Sequence, residues 1–169
     1  MSKVMRISDF ASELADREAI RDCLYRFSRG VDRLDTELIL SCLWPECRDD
    51  HGVYFKANSA KEMVEKIVNI ISNLEFAKHY IANIMIRIDG DQAYVESYHI
   101  GMSRGTGNDG IRYESRSSGR YIDRLERRND EWRFIERILI MDWTGRLAPT
   151  DSGEGALKPH DRSYAFLPF

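Results

Sequence analysis

Beyond residue 76 the apolar residues of this 169-residue chain stop recurring at a helical spacing of about 3.6 and begin to alternate. Few chains can satisfy both halves of such a pattern except by laying helices against a sheet. In the first part, Ile20, Leu24, Phe27 and Val31 form a helical stripe with Cys23 beside it, opposite Arg17, Glu18, Arg21, Asp22 and Arg29. Ser8 and Asp9 are placed to start a short helix, and Asp16 to cap the next. Gly30 weakens the end of that helix, and a second apolar set, Leu34, Leu38, Ile39 and Leu43, runs to Pro45, which ends it. Residues 48–56 read as a short polar strand containing Gly52. Ser59 then caps a third helix carrying Met63, Ile67, Ile70, Ile71 and Leu74.

The second part reads as four long strands. Residues 77–88 are rich in β-branched side chains, and Asp89-Gly90-Asp91 is a hairpin turn leading into 92–104. A Gly/Asn/Asp-rich loop at 105–110 precedes strands over 112–128 and 131–143, joined by Asn129-Asp130. Helices segregated from an antiparallel meander mean α+β, with helices covering one face of a curved sheet. Such a cone encloses a pocket. The expected organisation is one domain over 1–148 and an extended tail over 149–169, where three of the four prolines fall. Tyr164, Phe166, Leu167 and Phe169 are apolar enough that the tail is expected to cap a pocket or a neighbouring subunit.

Composition narrows the function classes. Twenty-five Lys and Arg against 28 Asp and Glu give a net charge of −3, which argues against general nucleic-acid binding. No apolar run approaches membrane-spanning length, and MSKVMRISDF lacks the apolar core of a signal peptide. Cys23, Cys42 and Cys47 show no CxxC spacing or zinc quartet, as expected of reduced thiols in a cytoplasmic protein. The one GxSxG match, Gly101 to Gly105, runs into a glycine-rich loop instead of the helix a nucleophile elbow needs, and is read as chance.

A quieter constellation remains. Asp32 follows Val31 at the end of the main helix, one residue beyond the stripe that faces the sheet, where a carboxylate is costly without a partner. Strand alternation puts His79, Ile81 and Asn83 on one face. His99 shares a face with Val95, Ser97 and Gly101; His51 could as easily be solvated. Arg120 alternates with Ile122 and Arg124. Arg137 lies on the apolar face of Ile135, Leu139 and Met141, where it must pair with a buried carboxylate or bind something anionic.

The strings RxxxRGVDRLD around Asp32, HYIAN at His79 and GRYIDRLERRNDEWRFIERILIMDW at 119–143 resemble the SnoaL-like branch of the nuclear-transport-factor-2-like superfamily. Within it they resemble the scytalone dehydratases and hexachlorocyclohexane dehydrochlorinases. The resemblance spans residues 8–145 and implies the cone-shaped α+β fold. It implies that Asp32 and His79 form a catalytic dyad, that Arg137, five residues after Trp132, is a third catalytic group, and that His99 corresponds to a second histidine of the dehydratases. One position departs. Five residues before the Asp those relatives carry a pocket-facing Lys or Tyr, and this chain has Phe27. The acid role is thereby left open among Tyr25, Tyr54, His99 and an arginine.

The chemistry is coherent from the residue types themselves. A histidine tethered by a carboxylate has a fixed tautomer and a stabilised imidazolium. It can remove a proton from carbon beside a carbonyl, or from a hydroxyl, with Arg137 or Arg120 stabilising the oxyanion or leaving group. Such a reaction calls for no metal or organic cofactor. A pocket lined by Phe27, Trp44, Tyr54, Met85 and Met141, with Asn83, His99 and Arg120 as polar contacts, suits an aromatic or polycyclic substrate. The expected activity is a lyase that removes water, halide or formaldehyde from a hydroxylated, largely apolar ring compound. The alternatives are a ketosteroid-isomerase or cyclase-like isomerase and a non-catalytic binding or assembly module. A homo-oligomer, dimer or trimer, is expected, with no nucleic-acid or membrane partner.

Overall fold

A computed structural model describes residues 7–148 and Ser163. Helices α1 (Ile7–Arg33) and α2 (Thr36–Ser41) lead into strands β1 (Leu43–Asp50) and β2 (Lys56–Ala57). Helix α3 (Ala60–Ile71) follows, then β3 (Leu74–Asp89), β4 (Gln92–Thr106), β5 (Arg112–Arg128) and β6 (Glu131–Leu147). The six strands form one sheet in the order β2-β1-β6-β5-β4-β3. Every pairing is antiparallel except β1 with β6. The fold is the α+β cone expected from the change of period. No helix among the described residues is long and apolar enough to cross a membrane.

The core lies between the helices and the concave sheet face. Ile20, Cys23, Leu24, Phe27 and Val31 of α1 and Met63, Val64, Ile67 and Ile71 of α3 pack with Ala77, Ala93, Val95, Leu125, Trp132 and Phe134 from the sheet. Burying side chains of this size contributes about 1.5–3 kcal/mol each for the larger ones. Ser59 caps α3 as expected, its hydroxyl accepting from the Glu62 amide (3.2 Å).

Several local expectations are corrected. α1 is one continuous helix, and Asp16 lies inside it. The Asp16 carboxylate accepts from Trp132 Nε1 (2.8 Å) and Arg127 Nη1 (3.1 Å), pinning α1 to the far ends of β5 and β6. Gly30 does not weaken the helix end. A Cβ there would stand 2.8 Å from Ile39 Cγ1, so its bareness lets α2 fold tightly back on α1. α2 is capped by Asp35 and ends at Ser41, well before Pro45, which lies in β1 where its pairing with β6 is irregular. The expected 48–56 strand is broken by a turn at 51–55, closed by the His51 amide donating to the Phe55 carbonyl (2.9 Å). The GxSxG stretch is extended β4. The tail and its apolar residues 164, 166, 167 and 169 lie outside the described residues; the Ser163 hydroxyl accepts from Arg29 Nη2 (3.0 Å).

Candidate functional site

Asp32 occupies the last turn of α1, and His79 the sixth position of β3, where α1 crosses that strand. Asp32 is buried and bonds His79 twice: Oδ1 to the ring Nδ1 (2.6 Å) and Oδ2 to the backbone amide (3.2 Å). The first bond puts the Nδ1 proton toward the carboxylate and leaves Nε2 on the opposite edge of the ring as the exchangeable site. The second fixes the carboxylate against β3. Arg33 adds a cation 3.7 Å from Asp32 Oδ2.

His79 lines a cavity of about 510 Å³ between the helices and the sheet. That volume falls within the range of small-molecule sites. Phe27 and Val31 of α1 and Ile67, Ile70 and Ile71 of α3 form an apolar wall; His99, Tyr121, Arg137, Met141 and several serines come from the sheet. Asp32 borders a second, smaller hollow of about 330 Å³ with Asp22, Tyr25, Arg26 and Arg29.

His99 is 4% exposed and its ring lies 5.5 Å from that of His79 and 5.0 Å from Tyr121. Burial, reinforced by the electrostatic influence of the neighbouring His79, Arg137 and His51 side chains, pushes the His99 imidazole down to about 3. It is therefore neutral at ordinary pH, and its Nδ1 is buried with no hydrogen-bond partner among the described residues. Gly101 makes room for it: a Cβ there would stand 2.6 Å from Ser117 Oγ and 2.8 Å from His99 Nε2. Burial pushes the Tyr121 phenol up, so it stays protonated and can donate.

Arg137 is 2% exposed and reaches the cavity wall. Its Nε and Nη2 donate to the two oxygens of Asp123 (2.8 and 2.9 Å), directly across β5 and β6. The guanidinium carbon lies over the rings of Tyr121, Phe134 and Phe27, 4.1, 4.4 and 4.6 Å from their centroids. Burial alone would pull the guanidinium down, but the Asp123 charge outweighs this and holds it above its ordinary value.

The structure thus brings Asp32, His79, His99, Arg137, Phe27, Tyr54 and Met141 to one place, Asp32 behind the cavity wall and the rest on it. Four expected contacts lie elsewhere. Trp44 donates its indole N–H to the Glu126 carbonyl (2.9 Å) and is sandwiched by Arg128 and Arg133. Arg120 faces the outer side of β5 beside Glu96 (3.6 Å) and Asp142 (3.9 Å). Asn83 and Met85 are exposed, because β3 carries a register shift between Ala82 and Met85 with Asn83 at φ 48°. That extra residue resets the alternation, so Ile84, Ile86 and Ile88 take over the inward face.

Three groups went unnoticed in the sequence as site members: Tyr121, Asp123 and the pair Asp49–His51. Tyr121 and Asp123 were implied by the alternation that places Arg120, Ile122 and Arg124 outward. Asp49–His51 depends on the turn at 51–55, which had no sequence signature beyond Gly52. Among the described residues, no group of three or more His, Cys, Asp or Glu could hold a metal ion.

Comparison with known proteins agrees with this fold. The family model of the SnoaL-like domain matches residues 12–138. No protein of curated function matches the sequence. A candidate scytalone dehydratase from Novosphingobium aromaticivorans superposes with a TM-score of 0.72 at 21% identity, covering 90% of this chain and 98% of its own. Hexachlorocyclohexane dehydrochlorinase LinA-type3 from Novosphingobium barchaimii gives 0.70 at 20% identity, covering 84% and 97%. A protein of unknown function from Mycobacterium tuberculosis gives 0.68 at 18%, covering 83% and 78%. At these identities the likeness is one of fold.

Proposed function

This chain belongs to the SnoaL-like domain family, and we propose that within it the protein is a cofactor-independent lyase acting on a hydroxylated aromatic or polycyclic compound. The observation that carries the reading is the 2.6 Å bond from His79 to Asp32 beside a largely apolar cavity of about 510 Å³. In this mechanism His79 Nε2 takes a proton from carbon next to a carbonyl. Asp32 holds the tautomer and stabilises the imidazolium that forms. The C–H electrons become the new double bond as the leaving group departs with its own pair. Tyr121, kept protonated, donates to the oxygen on which negative charge develops. Arg137, its charge matched by Asp123, acts on the cavity as an oriented ion-pair dipole and as the platform for Tyr121 and Phe27.

Two similar solved structures, the scytalone dehydratase candidate and the dehydrochlorinase, bear names of eliminating enzymes, which supports the same class. Water or halide would leave by these steps; for formaldehyde, His79 Nε2 would instead take the proton of the β-hydroxyl, the O–H electrons becoming the formaldehyde carbonyl as the C–C bond breaks and its pair passes to the enolate. The test is a mass-spectrometric screen of hydroxylated aromatics, steroids and lignin-derived diols, with His79→Ala as the blank. A product lighter by one of those fragments, formed by wild type alone, supports the reading; identical products from both proteins oppose it. An isomerase using the same dyad would show as a product of unchanged mass.

The protein is further proposed to be a homo-oligomer. Tyr80 and Ile100, paired across β3 and β4, and Tyr98 further along β4 are exposed on the outer sheet face, as are Ile138 and Ile140 of β6 on the other side of Arg120. Apolar side chains exposed on both sides of a polar strip commonly mark a protein interface.

A further inference from the structure

The cavity holds a second histidine–carboxylate pair. Asp49, near the end of β1 and in register with Arg137 of β6, is 3% exposed. Its Oδ1 bonds His51 Nδ1 at 2.5 Å, while Oδ2 is buried with no hydrogen-bond partner among the described residues. His51 stacks flat on Phe55 (4.7 Å, 6°), which fixes its ring plane, and lines the same cavity as His79. A row of rings joins the two: His51 to Tyr121 (5.8 Å), Tyr121 to His99 (5.0 Å), His99 to His79 (5.5 Å). Each end of the row is an imidazole whose Nδ1 is committed to a buried carboxylate and whose Nε2 is on the other edge.

An elimination moves two protons: one comes off carbon, and one goes onto a departing hydroxyl, because hydroxide is a poor leaving group. A single imidazole that has just taken the first must also deliver the second, across whatever distance separates the two atoms. Two tethered imidazoles divide the task. We propose that His51, oriented by Asp49, is the general acid facing the bound molecule from the β1 side while His79 is the base. Its Nε2–H bond breaks as the C–O bond breaks, the oxygen keeps the C–O electrons and takes the proton, and water leaves. His79 ends protonated and His51 neutral, and one proton returned through solvent restores both. The inference rests on the lyase reading above. The groups around His51 are Asp49 and Asp50 on β1, Phe55 of its own turn, His99 on β4, Tyr121 and Asp123 on β5 and Arg137 on β6.

A leaving-group comparison tests this with the full chain. β-Hydroxypropiophenone must lose water, whereas β-(4-nitrophenoxy)propiophenone loses nitrophenolate, which departs without a proton. His51→Gln, which can still hydrogen-bond Asp49, lowers kcat on the hydroxy ketone on the order of 10²-fold and on the nitrophenoxy ketone by less than about threefold. His79→Ala lowers both. Equal losses from His51→Gln on the two ketones, or no loss on the hydroxy ketone, overturn the proposal. His51→Asn repeats the comparison should the first variant lower the unfolding midpoint. A second measurement uses histidine labelled with nitrogen-15 and acetophenone as an unreactive probe. Joint shifts of the His51 and His79 ring signals with one dissociation constant support a shared ligand; movement of His79 alone, or of neither, overturns it. Wild type inert to both ketones counts against the lyase reading, and the acetophenone titration then decides whether His51 faces the ligand.

Discussion

Asp32 and His99 illustrate how single side chains set the chemistry of this cavity. Asp32 serves two hydrogen-bond donors of one residue, so it fixes both the position and the tautomer of His79. Asp32→Asn keeps the shape but loses the charge that stabilises the imidazolium, and a fall in kcat on the order of 10²–10⁴-fold is expected on the substrate that the screen yields. His99 makes a separate mark on stability. Folded, its imidazole takes a proton only near pH 3, against an ordinary value of 6.5. The unfolded chain takes that proton first, so stability is lost as pH falls from about 6.5 toward 3, with a slope of about 1.4 kcal/mol per pH unit from this group. Urea unfolding across that window measures it. His99→Gln is expected to flatten the curve by that slope, and parallel curves for the two proteins would contradict the assignment.

The elements were legible where their own residues decided them and illegible where a partner did. The change of period after residue 76 separated helices from strands because side-chain direction alone dictates it. The β3 register shift at 82–85 has no local signal, and it moved Asn83 and Met85 outward. Gly30 looks like a flaw in α1 from the sequence, because its reason, the packing of α2 on it, is a tertiary contact. Arg137 was rightly narrowed to a buried partner or an anion, but which one depended on Asp123 facing it across β5 and β6. That pair gives a prediction at this scale. Asp123→Ala leaves a buried guanidinium unmatched and should cost about 3–5 kcal/mol, whereas Asp123→Leu with Arg137→Met removes both charges and should recover most of it. Chemical denaturation of the three proteins checks the pattern. Gly101→Ala, which forces His99 or Ser117 aside, is expected to cost about 1–3 kcal/mol by overpacking.

At the scale of the molecule, the helices cover the inner face of the sheet and leave apolar side chains exposed on the outer face. Ile140→Glu on that face is expected to lower the oligomer mass seen by sedimentation while leaving the cavity untouched; an unchanged mass would remove the outer face from the assembly. The sequence could place the dyad on the right elements, since a helix end and a strand start are local features. It could not show that the turn after β1 carries a second histidine to the same hollow, because that depends on where a short turn points after the sheet has closed. The central claim remains the proton abstraction by His79. Its most direct measurement is kcat/KM of His79→Ala against wild type on the substrate found in the screen, with acetophenone binding as the check that the cavity persists. A fall on the order of 10²-fold or more with binding retained is the predicted result. Undiminished turnover in the variant would contradict it.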